Sequence, residues 1–188
     1  MHRAKELVKE ITDHSNESGD KVLIVPGGSV FADTVRRVSA SQEASHWMAV
    51  LAMEQYGYYL GDGTGVKLVN DMIVEGGVCI LLPYALIKKR DELPHTWDVT
   101  SDTIAAWVAR HTSARFIKAT DVDGVYINGS LRKEVSASEL ESMETCVDAE
   151  LPRFLTKNRM NCEVINGNCP GRLTGALKGN AAGTLIKG

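Results

Sequence analysis

Short β-branched runs recur along this chain, with stretches of helical spacing between them. The runs are Val22-Leu23-Ile24-Val25, Val78-Cys79-Ile80-Leu81-Leu82, Arg115 to Thr120, Glu163 to Gly167 and Gly183 to Ile186. The first two are continuously apolar, the pattern of strands covered on both faces of a parallel sheet. Between the runs, helices are expected over 3–14, where Leu7, Val8 and Ile11 share a face, from residue 29 through Val38, over 44–60, and briefly up to Lys89. Others are expected over 100–110, 138–143 and 148–160, the last with Pro152 in its first turn, and one starting near Gly171. Parallel neighbours need a crossover connection, and helices supply it. The expected fold class is therefore α/β, a three-layer α/β/α sandwich around a mainly parallel central sheet. The 188 residues carry no linker, repeat or low-complexity stretch, so one domain over 1–188 is expected.

Composition narrows the partners. With 21 Lys+Arg against 24 Asp+Glu the formal net charge is −3, which leaves no broad basic footprint for nucleic acid or an anionic membrane. The longest apolar run, Val78 to Ile87, is too short to span a bilayer, and the N-terminal residues lack the apolar core of a signal peptide. Cys79, Cys146, Cys162 and Cys169 form no Cys-x-x-Cys pair, so reduced core thiols in a cytoplasmic protein are expected, with no zinc site and no protein-held metal.

Ligands of open parallel sheets bind beyond the carboxyl ends of the strands, so the residues following each run matter most. Pro26-Gly27-Gly28-Ser29 follows the first run and opens a helix. It is either a tight strand-to-helix turn or a cradle whose backbone N–H groups approach an anion at a helix start. It matches neither the Walker phosphate loop nor the dinucleotide fingerprint. Thr100-Ser101-Asp102 opens a later helix, where Asp102 either stabilises the first turn or projects into a site. Asp121 and Asp123 bracket a valine before Gly124, as a solvated turn or as carboxylates facing a ribose or metal. Lys178 alone reads as a surface lysine. His46 and Trp47 begin a helix rich in aromatic and methionine residues, a pattern of core or oligomer contact more than of a substrate pocket. No Gly-x-Ser-x-Gly nucleophile elbow is present.

As an ordered set these pieces are more specific than any one of them. Val-Pro-Gly-Gly-Ser (25–29), Val-Thr-Ser-Asp (99–102), Lys-Ala-Thr-Asp-Val-Asp-Gly-Val-Tyr (118–126) and Gly-Thr-Leu-Ile (183–186) closely resemble the amino acid kinase family, which includes aspartate, glutamate, acetylglutamate and uridylate kinases. The helix from His46 to Gly57 resembles a small archaeal branch that converts an aminomethylfuran monophosphate to its diphosphate with ATP. The isopentenyl phosphate branch is disfavoured, because its glycine-rich segment carries a histidine and none lies between His14 and His46.

The resemblance implies ATP and Mg²⁺, a small-molecule phosphoryl acceptor and a homo-oligomer. It implies that Gly27, Gly28, Ser29 and Thr100 hold phosphate or acceptor, and that Asp102 organises the transferring phosphoryl group. Thr120, Asp121, Asp123, Gly124, Val125, Tyr126 and Lys178 would hold the nucleotide. A uridylate- or glutamate-type acceptor is the alternative within the family, and a non-catalytic nucleotide-binding subunit the alternative outside catalysis. The family's opening strand, Val-x-Lys-x-Gly-Gly-Ser, has no counterpart in these residues. The sheet is therefore expected to lack that strand here, and the 188 residues alone to bind nucleotide weakly and turn over nothing.

Overall fold

Strands and helices alternate in the computed structural model, which describes residues 2–188. The chain divides into two compact units, residues 1–104 and 105–188.

In the first unit the order is α1 (His2–Ser18), β1 (Val22–Ile24), α2 (Ser29–Arg36), α3 (Gln42–Gly61), β2 (Lys67–Val69), β3 (Val78–Leu81), α4 (Tyr84–Arg90) and the start of α5 (Ser101–Thr112). The strands form an all-parallel sheet in the order β1-β3-β2. Central β3 is the buried strand, with Ile80 and Leu81 at 0% exposure. Against expectation, β1 is only half-buried, because it is an edge strand of this sheet. Strand β2 escaped the sequence reading, since Lys67-Leu68-Val69 is too short to show a period.

Helix α3 begins where the Ser41 hydroxyl accepts the Ala44 N–H at 3.2 Å, a side-chain cap. Its glycines are contact points: a Cβ at Gly57 would lie 3.1 Å from Leu82, and one at Gly61 2.9 Å from Leu68. Each glycine costs about 1 kcal/mol of helix propensity, offset here by close approach to the sheet. Val8 of α1, Leu60 of α3 and Ile80 of β3 form a buried cluster on that side. Although α3 has 20 residues, no helix among the described residues is long and apolar enough to cross a membrane.

The second unit holds the rest of α5, then β4 (Ile117–Thr120), β5 (Tyr126–Ile127), β6 (Ser130–Leu131), β7 (Glu134–Ser136), α6 (Ala137–Leu140), α7 (Leu151–Asn158), β8 (Asn161–Asn166), α8 (Arg172–Leu177) and β9 (Gly183–Lys187). Its sheet runs β4-β8-β9-β7, with β4–β8 and β7–β9 parallel and β8–β9 antiparallel. Strands β7 and β9 therefore run together, opposite to β4 and β8. The small hairpin β5–β6 was also missed, although Asn128 (φ 52°) and Gly129 (φ 75°) form the two-residue left-handed turn that an Asn-Gly pair favours. Pro152 does occupy the first turn of α7, whose Leu151 N–H is capped by Asp148 at 2.8 Å. Leu151, Leu155, Val164, Ile165 and Ile186, all at 0% exposure, make this unit's core.

Candidate functional site

In the first unit the glycine turn joins β1 to α2. At Gly28 a side chain would overlap the Cβ of Ala32, one turn into α2, so the tight entry needs glycine. At Gly27 the missing Cβ faces the Ser101 hydroxyl 3.6 Å away, so the turn lies against the start of α5. Thr100 accepts the first helical bond there, from the Ile104 N–H at 3.1 Å, and Asp102 sits half-buried in the first turn. Gly27, Gly28, Ser29, Thr100 and Asp102 thus gather where two helices begin. Backbone N–H groups at helix starts favour anions. Ser29 takes the left-handed conformation (φ 48°). Burial raises the pKa of Tyr56 beside this turn; the Ser29 side chain opposes that rise and nearby Tyr59 adds to it.

Beside this turn an open cleft of about 390 Å³ is lined by Arg36, Trp97 and Thr100. The Arg36 guanidinium lies 5.6 Å from the centre of the Trp97 ring, and its Nη1 is 2.6 Å from Asp33. Trp97 packs on the Ala32, Val35 and Ala52 cluster of α2 and α3. A cation over an indole face gives a cleft that can take both a planar group and an anion. Neither Arg36 nor Trp97 stood out in the sequence. An arginine in a helix's last turn reads as a dipole partner, and a tryptophan in a loop has no periodic context.

In the second unit the candidate turn follows β4. Parallel pairing sets Thr120 beside Asn166, and the Gly167 N–H donates to the Thr120 carbonyl at 2.7 Å, so both strands end together. Asp121 is exposed and accepts from the Thr120 hydroxyl at 3.2 Å. Asp123 accepts from the Asn166 side-chain amide at 3.0 Å, with an Arg172 nitrogen at 4.0 Å. Asn166 and Arg172 are the residues sequence reasoning missed here; they reach the turn only through the β4–β8 register.

Gly124 adopts φ +152° with its α-carbon against Thr184, whose hydroxyl a Cβ would overlap. The Val125 N–H donates to that hydroxyl at 2.9 Å, the hydroxyl donates to the Arg132 carbonyl, and the Val125 carbonyl accepts from Arg132 at 2.9 Å. Val125 is fully buried, so it shapes the turn rather than presenting a group to a ligand. Tyr126 is 46% exposed at the rim. Lys178 is exposed at the end of α8, where its N–H bonds Thr174 at 3.1 Å. Among the described residues no group of three His, Cys, Asp or Glu could hold a metal ion.

A sequence model of the amino acid kinase family matches residues 64–166. The [5-(aminomethyl)furan-3-yl]methyl phosphate kinase of Methanocaldococcus jannaschii is 30% identical, over 94% of this chain and 88% of that protein. A uridylate kinase of Thermofilum pendens is 22% identical over 96% of this chain and 87% of its own. Among solved structures, the uridylate kinase of Archaeoglobus fulgidus superposes with a TM-score of 0.68 at 20% identity, covering 98% of this chain and 92% of that one. The UMP kinase of Ureaplasma parvum gives 0.73 at 17% identity over 98% and 88%. These solved structures share the parallel-rich α/β fold. With a family model over more than half its length and a relative aligned along nearly all of it, the chain belongs to the amino acid kinase family and is a kinase.

Proposed function

We propose that this kinase transfers the terminal phosphoryl group of ATP to a small acceptor that is already a phosphate ester, with [5-(aminomethyl)furan-3-yl]methyl phosphate as that acceptor. An acceptor phosphate oxygen forms the new bond to the γ-phosphorus, the β–γ bridging bond breaks, and ADP leaves with that electron pair. The observation that carries the reading is the cleft where Arg36 lies over Trp97 beside the glycine turn and Thr100. A guanidinium can neutralise the acceptor's phosphate, and an indole face suits a flat heteroaromatic ring. The name of the Methanocaldococcus jannaschii relative supports this choice of acceptor.

Phosphoryl transfer needs positioning and charge neutralisation more than covalent chemistry. Gly27, Gly28 and Thr100 would meet phosphate oxygens, while Asp102 orients the cationic groups around them. Thr120, Asp121, Asp123, Gly124, Tyr126 and Lys178 would hold the nucleotide. Mg²⁺ would be held mainly by the ATP phosphates, a mode that needs few protein ligands and fits exposed Asp121 better than a protein cage. We place the enzyme in the cytoplasm as a homo-oligomer, with Leu51 (41% exposed) and Tyr58 (60% exposed) on α3 at the subunit contact.

The test is phosphoryl transfer by the purified protein, followed by ³¹P NMR. The furan phosphate should be converted with kcat/KM more than tenfold above UMP or glutamate, about 1.4 kcal/mol of discrimination. Preference for UMP would sink the furan assignment, and absence of transfer to any acceptor would sink the catalytic one.

A further inference from the structure

The β4–β8 register gathers a carboxylate, an amide and a guanidinium at the carboxyl ends of two parallel strands, where ligands of such sheets bind. Two consecutive turns fold the chain after β8 back on itself. The Cys169 N–H donates to the Asn166 carbonyl and the Arg172 N–H to the Cys169 carbonyl, each at 3.3 Å. Arg172, the first residue of α8, therefore returns to the strand end that Asn166 closes. Its Nη1 donates to the Ala182 carbonyl, just ahead of β9, and its side chain is 32% exposed. Its Nη2 lies 4.0 Å from Asp123 Oδ1, too far for a hydrogen bond.

Asn166 accounts for that gap. Its side-chain amide is fixed at both ends: the oxygen accepts the Asn168 N–H at 2.9 Å, and Nδ2 donates to Asp123 Oδ1 at 3.0 Å. The same carboxylate oxygen is the one nearest Arg172, so the amide holds it back from the guanidinium. A neutral donor leaves the guanidinium charge uncancelled, and an exposed pair at this separation contributes little. Among the described residues the guanidinium bonds the Ala182 carbonyl and no other group. Of its five N–H donors, most stay open to a ligand.

We propose that Arg172 binds a phosphate of the nucleotide, and that Asn166 is its positioning residue, keeping Asp123 from closing on the guanidinium. This rests on the turn after β4 being the nucleotide site, as argued above. A planar guanidinium matches two phosphate oxygens at once. With Nη1 already held on a backbone carbonyl, the side chain loses little further freedom when the phosphate arrives. Without the Asn166 amide, Asp123 has no donor other than Arg172 to turn to, and the two charges would cancel.

Titrating the purified protein with ATP and with adenosine, followed by ¹H–¹⁵N spectra, separates a phosphate contact from a packing role. Arg172→Met keeps the apolar stem and removes the charge. It should bind ATP at least about tenfold more weakly than the parent, while adenosine stays within about twofold. Asn166→Ser keeps an oxygen for the Asn168 N–H but has no donor long enough for Asp123. It should weaken ATP by about threefold or more, spare adenosine, and shift the Arg172 Nε–H signal in the ligand-free protein. In the transfer assay, the KM for ATP should rise in both variants and that for the acceptor should stay within about twofold. If the parent binds ATP and Arg172→Met binds it equally well, or loses ATP and adenosine alike, the phosphate contact is overturned and the nucleotide reading stands. If the Arg172 signal does not move in Asn166→Ser, the positioning role is overturned. If ATP leaves every signal of the parent unmoved, the nucleotide reading fails and this inference falls with it.

Discussion

Replacing Thr184 with valine removes one hydroxyl from the point where β9 fastens the turn after β4. The substitution is isosteric, and the residue is 2% exposed, so no space opens and no water enters. Two hydrogen bonds are lost: the Val125 N–H to the hydroxyl at 2.9 Å and the hydroxyl to the Arg132 carbonyl. Val125 is 0% exposed, so its N–H is left without a partner at about 1–3 kcal/mol. Arg132 is exposed and its carbonyl can turn to water, so that half of the loss is about 0.5–1.5 kcal/mol. The added methyl returns about 0.8 kcal/mol. The expected net destabilisation is about 2 kcal/mol, read as a lower urea midpoint with unchanged slope. Native-state hydrogen exchange should locate the effect, the Val125 amide losing protection before the Val164 and Ile165 amides of β8 do. Thr184→Ser keeps the hydroxyl and should retain Val125 protection. In the transfer assay, the KM for ATP should rise in Thr184→Val and not in Thr184→Ser. A loss below about 0.5 kcal/mol with Val125 still protected would refute the bridging role of the hydroxyl and, with it, the reason Gly124 must lack a side chain.

Other consequences can be checked alongside. Asp102→Asn should lower turnover tenfold or more, at least about 1.4 kcal/mol, with an unchanged circular dichroism spectrum; full activity would reduce Asp102 to a helix-start stabiliser. Arg36→Ala should raise the acceptor KM about tenfold or more, one charge-assisted hydrogen bond, and leave the ATP KM alone; its loss should not unfold the protein, because the Arg36–Asp33 pair is half-exposed. His46 also predicts an acid limb of stability. Its folded pKa lies below the ordinary 6.5, so the unfolded chain takes up the proton first. Stability is therefore full above about pH 6.5 and falls as pH drops through that value toward the folded pKa, in surroundings that include His95, Glu43, Asp91 and Lys88. The urea midpoint of His46→Asn should lose that part of the slope; an identical pH dependence in both proteins would remove His46 from the cause.

How far a sequence discloses such a site depends on the distance over which each residue acts. The strand-to-helix turn at Gly27 and Gly28 was legible because its geometry is local: Gly28 is constrained by Ala32, four residues on in the same helix. The Asn-Gly hairpin at Asn128 and Gly129 was equally local and was there to be read. Strands β2 and β7, three residues each, were not legible, since two alternations cannot set a period and β3 and β9 alone define them by pairing. The direction of β9 was hidden for the same reason, as pairing with β8 decides it over 20 or so residues of chain. The site partners lie farther still along the chain. Arg36 meets Trp97, His46 meets His95 and Asp123 meets Arg172 across separations that no periodicity spans. Gly124 marks the boundary between the two kinds of information. Its glycine announces a turn, but the side chain that makes glycine compulsory is Thr184, delivered by the last strand of the chain. A residue can therefore be recognised as special from its neighbours in sequence, while the reason it cannot be replaced resides in a strand that arrives much later.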